Sequence, residues 1–193
     1  MKLNKIVSLC KREKRIVLFN RRNDEGEIVE QWIGDGTACY LVGGLPIMSA
    51  GTCETLFDIP AKDADKWSIR EEDLPGSIDF SDAADVNGER ILDEAPISIY
   101  FGGVTVRPLR SSGDVPLFID TRYLAPFINE MERLFLFRRT TPGGMDYIAA
   151  KTGMILAGVI PPVRIESERF VSELSKLAED VKEAFAPEED HGE

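Results

Sequence analysis

An internal repeat is the feature that most constrains what this chain can fold into. At a constant offset of about 118 positions, Ile6 aligns with Leu124, Leu9 with Phe127 and Cys10 with Ile128. The run Arg15-Ile16-Val17-Leu18-Phe19 aligns with Arg133-Leu134-Phe135-Leu136-Phe137, and Gly26 with Gly144. With one small gap Asp35-Gly36 meets Thr152-Gly153, and with another Leu45-Pro46 meets Ile160-Pro161. Order, turn positions and terminal prolines all agree, which argues for a duplicated helix–strand–hairpin unit. Two such units can join their sheets with both helices on one face and so bury a single core.

Within the first unit, Leu3, Ile6, Val7 and Cys10 recur at the spacing of an amphipathic helix. Residues 15–20 read as a strand, 22–26 as a hairpin turn, 27–33 as a half-buried alternating strand and 37–42 as a third, more apolar strand. A short helix falls within 50–59, capped by Ser49 or Thr52. Residues 60–94 are acidic and rich in turn formers, and read as a long surface excursion. A hairpin follows around Gly102-Gly103, then a short strand at 117–120. Thr121 is a good cap for a second helix running to about Arg133, and 133–138, 145–151 and 154–160 read as the strands of the second unit.

The expected architecture is therefore α+β: duplicated helix–strand–hairpin units with two helices on one face of an antiparallel sheet. The domain covers 1–165, its repeats 3–48 and about 115–165. A C-terminal helix occupies 166–186, and the acidic tail 187–193 is expected to be disordered.

Composition removes several function classes. The only histidine, His191, sits in the tail, so histidine-dependent triads and zinc sites lose their main residue. Three cysteines give no disulfide framework; Cys10 and Cys39 read as small core hydrophobes. The glycine pairs Gly43-Gly44, Gly102-Gly103 and Gly143-Gly144 lack the context of a phosphate cradle and read as turns. Asp35, Glu54 and Asp58 read as solvated surface carboxylates. We expect no catalytic residues, no metal and no cofactor, and a soluble, cytoplasmic, non-membrane protein, since no apolar run approaches the roughly 18 residues of a spanning helix.

The formal net charge is −11, which disfavours a nucleic-acid coat on all sides. The charge is uneven, however. Lys2, Lys5, Lys11, Arg12, Lys14, Arg15, Arg21 and Arg22 crowd the first residues against the single acid Glu13. These cations read either as an ordinary solvated helix face, its last-turn bases favoured by the macrodipole, or as a phosphate-tracking surface.

The repeated unit, the phrase Trp32–Met48 with its Asp35-Gly36 turn, and Leu124–Ile165, closing on Gly158-Val159-Ile160-Pro161-Pro162-Val163-Arg164-Ile165, resemble one domain of the DNA sliding clamps, above all the bacterial polymerase III beta subunit. The resemblance covers roughly residues 3–48 and 97–165 and is one of pattern. It implies a non-enzymatic protein of DNA metabolism that contacts DNA or a replication protein, with Lys2, Lys5, Lys11, Arg12, Lys14 and Arg122 as candidate phosphate contacts. The other reading is a protein-interaction or assembly module on the same fold, without DNA contact, docking through 60–94 and the C-terminal helix. Exposed sheet edges imply a homo-oligomer in either case.

Overall fold

The computed structural model describes residues 1–82, 89–111, 115–165, 170, 172–174 and 176–177. The chain divides into two compact units, Met1–Val163 and Arg164–Glu193. In the second, the described residues from 170 onward are helical; the rest of the expected C-terminal helix and the tail lie outside the described residues.

The first unit opens with helix α1 (Leu3–Glu13), whose apolar stripe buries Ile6, Leu9 and Cys10. Lys14 ends it in the left-handed conformation (φ 49°), returning its N–H to the Cys10 carbonyl. Strand β1 (Arg15–Arg22) follows, then β2 (Ile28–Gly34) and β3 (Cys39–Leu41), an antiparallel meander. The Asn23 carboxamide oxygen shapes the first turn by accepting from the Glu25 and Glu27 N–H groups. Helix α2 (Ala50–Leu56) is capped by the Ser49 hydroxyl, which accepts from the Thr52 N–H.

A 3-10 helix (Ala61–Lys66) leads to β4 (Ser68–Asp73), and β5 (Arg90–Glu94), β6 (Ile99–Phe101), β7 (Val104–Arg110) and β8 (Leu117–Asp120) come next. Two 3-10 segments, Thr121–Phe127 and Met131–Arg133, precede a second meander of β9 (Leu134–Thr140), β10 (Asp146–Thr152) and β11 (Ile155–Ile160).

All strands join one large, mostly antiparallel sheet in the order β4-β1-β2-β3-β11-β10-β9-β5-β7-β6, with β8 on the other side of β7. The two meanders meet edge to edge at β3 and β11, where Tyr40 faces Gly158 and Cys39 faces Val159. Alternation along each strand gives the sheet two buried faces. One face presents Ile16, Leu18, Ile33, Tyr40, Leu136, Ile148 and Ile160 to α1, α2 and the 3-10 helix Thr121–Phe127. The opposite face presents Trp32, Cys39, Tyr147, Leu156 and Val159, and receives Phe80.

Three expectations are corrected. The second helix, expected over 121–133, is two 3-10 pieces capped by Asp120 rather than Thr121, because Pro126 sits inside the first piece and carries no N–H. Gly158 admits this segment closely: a Cβ there would meet the Phe127 ring at 2.8 Å. Residues 60–94 are more than a surface excursion, since they supply β4, which runs parallel to β1, and β5, which pairs with β9. Asp35 is buried at 3 % exposure rather than solvated, although Glu54 and Asp58 are exposed as expected.

Candidate nucleic-acid interface

The basic residues lie along the outward side of α1 and at its C-terminal end. The amphipathic stripe turns Ile6, Leu9 and Cys10 inward, which leaves Lys11, Arg12 and Lys14 exposed and Lys5 half-buried. Lys2 is the N-cap residue, half-buried, with its N–H on the Pro126 carbonyl at 2.7 Å. Among the described residues no carboxylate comes within ion-pair distance of Lys5, Lys11 or Lys14; Arg12 faces Glu13 at 3.6 Å, an exposed pair of small energetic weight. Lys11 and Lys14 share an open cleft of about 310 Å³ with Lys66, Trp67, Asp58 and Asp63. Lys66 and Trp67 escape sequence reasoning because the end of the 3-10 helix Ala61–Lys66 and its C-cap are far along the chain from α1.

Arg122 is less available than the helix cations. Its Nε donates to Asp120 Oδ1 and Oδ2 at 2.9 and 2.8 Å, and its Nη2 closes the fork on Oδ2. Its guanidinium also lies 5.9 Å from the centre of the Tyr123 ring. Arg21, Arg22, Arg138 and Arg139, which read as hairpin charges or as an extension of the patch, are ion-paired: Arg21 to Glu30, Arg22 to Asp73, Arg138 to Asp146 and Arg139 to Glu89.

Beneath Arg122 two buried carboxylates anchor the 3-10 helix to the sheet. Asp35 accepts from the Thr37 and Ala38 N–H groups at 2.8 and 3.0 Å and from the Tyr123 hydroxyl at 3.2 Å. The Tyr40 hydroxyl donates to the Tyr123 carbonyl at 2.9 Å. At Asp120 two effects compete. Burial, opposed by Arg12 and reinforced by Asp35, pushes the carboxyl up to about 6, while the Arg122 fork favours the ionised form.

This raised value fixes a sign. The folded protein binds a proton at Asp120 where the unfolded chain has lost it, so the stabilising effect of protonation is complete below about 4 and disappears as pH rises through about 6. The stability difference between the wild type and Asp120→Asn should therefore fall across that window. Chemical denaturation at a series of pH values checks this, and a difference independent of pH refutes it.

The three thiols are unsuited to nucleophilic chemistry. Burial raises Cys10 and Cys39 to about 12 and Cys53 to about 11. Among the described residues no group of His, Cys, Asp and Glu is arranged to hold a metal, and no helix is long and apolar enough to cross a membrane. Compared with family models, curated proteins and solved structures, the chain matches none of them.

Proposed function

We propose that this chain is a non-enzymatic, clamp-like protein of DNA metabolism that contacts DNA through the outward face of α1. The observation that carries the reading is the outward row of Lys5, Lys11, Arg12 and Lys14 beside the 3-10 helix Thr121–Phe127, on one face of a sheet formed by two meanders joined at β3 and β11. Duplication accounts for that symmetry of strand order, and a replication protein is the partner class that goes with it. The cations act as a phosphate-tracking surface, sequence-independent and sensitive to salt.

The test is retention of a short DNA duplex at low salt. Binding should weaken by roughly 0.9 log units per log unit of salt for each phosphate neutralised. Replacing Lys11, Arg12 and Lys14 together with Glu should abolish it while thermal stability stays nearly unchanged, because exposed charges contribute about 0–1 kcal/mol each. Replacing the half-buried Lys5 with Gln should weaken it as well. Absence of any retention by the wild type sinks the DNA reading and leaves an interaction or assembly module on this fold.

We propose also that the protein is a homo-oligomer. The sheet ends in β4 on one side and β6 on the other, and Tyr100 in β6 is 78 % exposed. Light scattering across a wide concentration range should show a mass above 21.5 kDa; a constant monomer contradicts it.

A further inference from the structure

The face of the sheet opposite α1 carries an occupant that belongs to no strand. Residues 74–82 cross it in irregular conformation and are held much as a bound peptide is held, by side chains gripping main-chain groups. Arg139 Nη1 donates to the Asp79 carbonyl at 2.9 Å and Nη2 to the Ser81 carbonyl at 3.0 Å; Arg21 Nη2 donates to the Phe80 carbonyl between them at 3.1 Å. The Tyr147 hydroxyl accepts the Asp79 N–H at 3.1 Å, and the Asp82 carboxylate accepts the Leu156 N–H at 2.7 Å. Phe80 is the apolar anchor, 7 % exposed and edge-on to Trp32 at 4.9 Å between ring centres.

The segment's chemistry matches its floor. Asp79 lies 4.0 Å from the Arg139 guanidinium and feels Arg21 as well, two cations shared with Glu89 and Glu30, and the aromatic rings of the floor are Trp32, Phe137 and Tyr147. The hold is nonetheless of a kind that opens locally. Among the described residues, its main-chain bonding to the sheet is confined to the Leu74 N–H on the Asn20 carbonyl at 3.1 Å. Gly76, Ser77 and Asp82 are exposed, and Leu74 and Ile78 only half-buried. An open cleft of about 660 Å³ is lined by the segment itself, Leu74 to Ser81, on one side and by Arg21, Thr140, Pro142 and Tyr147 on the other.

We infer that this face is a docking groove for an extended acidic–aromatic peptide of a partner protein, and that residues 74–82 are its tethered resident. Because the tether holds the resident at an effective concentration of roughly millimolar, an incoming peptide prevails by also covering Thr140 and Pro142, which form the outer wall of that cleft. The inference goes beyond the DNA reading and does not rest on it.

The experiment uses the full chain with Ile78 and Phe80 both replaced by Ala, and a fluorescein-labelled peptide with the sequence of residues 74–82. Fluorescence anisotropy should show saturable binding at least tenfold tighter than to the wild type. The same peptide with its phenylalanine changed to alanine should not bind, and adding Arg21→Gln to the chain, which removes the exposed donor to the Phe80 carbonyl, should weaken binding several-fold. A folded double variant, judged by circular dichroism, that does not bind the peptide overturns the inference. Should that variant not fold, a chain carrying protease sites at Gly76-Ser77 and just after Asp82 is cut at both after folding, freed of the excised segment and titrated likewise; absence of binding to the cut, folded chain is equally fatal. Tighter binding of a labelled single-stranded oligonucleotide than of the peptide at the freed face also overturns it, and assigns the face to nucleic acid.

Discussion

Replacing Asp35 with alanine is expected to lower the free energy of unfolding by about 3–4 kcal/mol, as three hydrogen bonds to one buried carboxylate are lost together. The Thr37 and Ala38 N–H groups and the Tyr123 hydroxyl would each lose their acceptor in a site where Asp35 is 3 % exposed. Water cannot replace the acceptor without opening the seam, because Tyr40 closes it by donating to the Tyr123 carbonyl. The loss would be a large share of the roughly 5–15 kcal/mol that a domain possesses. Asp35→Asn keeps an oxygen for the two main-chain donors and should lose less than half as much. Tyr123→Phe removes one bond and should lose about 1 kcal/mol. Urea denaturation checks the series through the midpoint at unchanged slope. A loss under about 1 kcal/mol for Asp35→Ala would show that the turn does not depend on the carboxylate.

Arg139→Met is the second large effect, expected at about 3–4 kcal/mol, since removing one partner of a buried ion pair strands the others. The guanidinium is 4 % exposed and serves the Asp79 and Ser81 carbonyls and the Glu89 carboxylate at once. Glu89, whose side chain is 12 % exposed, would keep only Lys151 among the described residues. Arg139→Lys keeps the charge but not the fork, so it should recover only part of the loss. The damage should be local first: Phe80 leaves Trp32, whose emission shifts to the red, and the amides of 74–82 exchange before those of β9 and β10. Tryptophan fluorescence and hydrogen exchange, read beside the urea midpoint, check this. Uniform exchange across the sheet would contradict it.

The strands of both meanders were legible because their signals are local. The apolar runs of β1 and β9, the Asn23 and Gly144 turns and the Ser49 cap all lie within a few residues of what they organise. The stripe on α1 was equally readable, and with it the outward placement of Lys11 and Arg12. Pro126 was also in plain view, yet the apolar spacing of Leu124, Phe127 and Ile128 outweighed it in the reading of a regular helix. The missing N–H at Pro126 decides otherwise.

Local pattern by itself therefore determined the strands and turns of each meander and which side of α1 faces water. Only the tertiary structure decided where the unpatterned residues went. Asp35 carries no mark of burial in its own neighbourhood; it is buried because Tyr123, far along the chain, needs an acceptor there. Arg139 looks like a hairpin charge until Asp79 and Ser81 cross over it. The pairing of β4 with β1 is parallel, so no turn links the two strands to announce it. Periodicity reports which side of an element is apolar, because that is a property of neighbouring residues. What meets that side, and which polar groups must then be satisfied, depends on contacts between distant segments that are settled only when the whole sheet has closed.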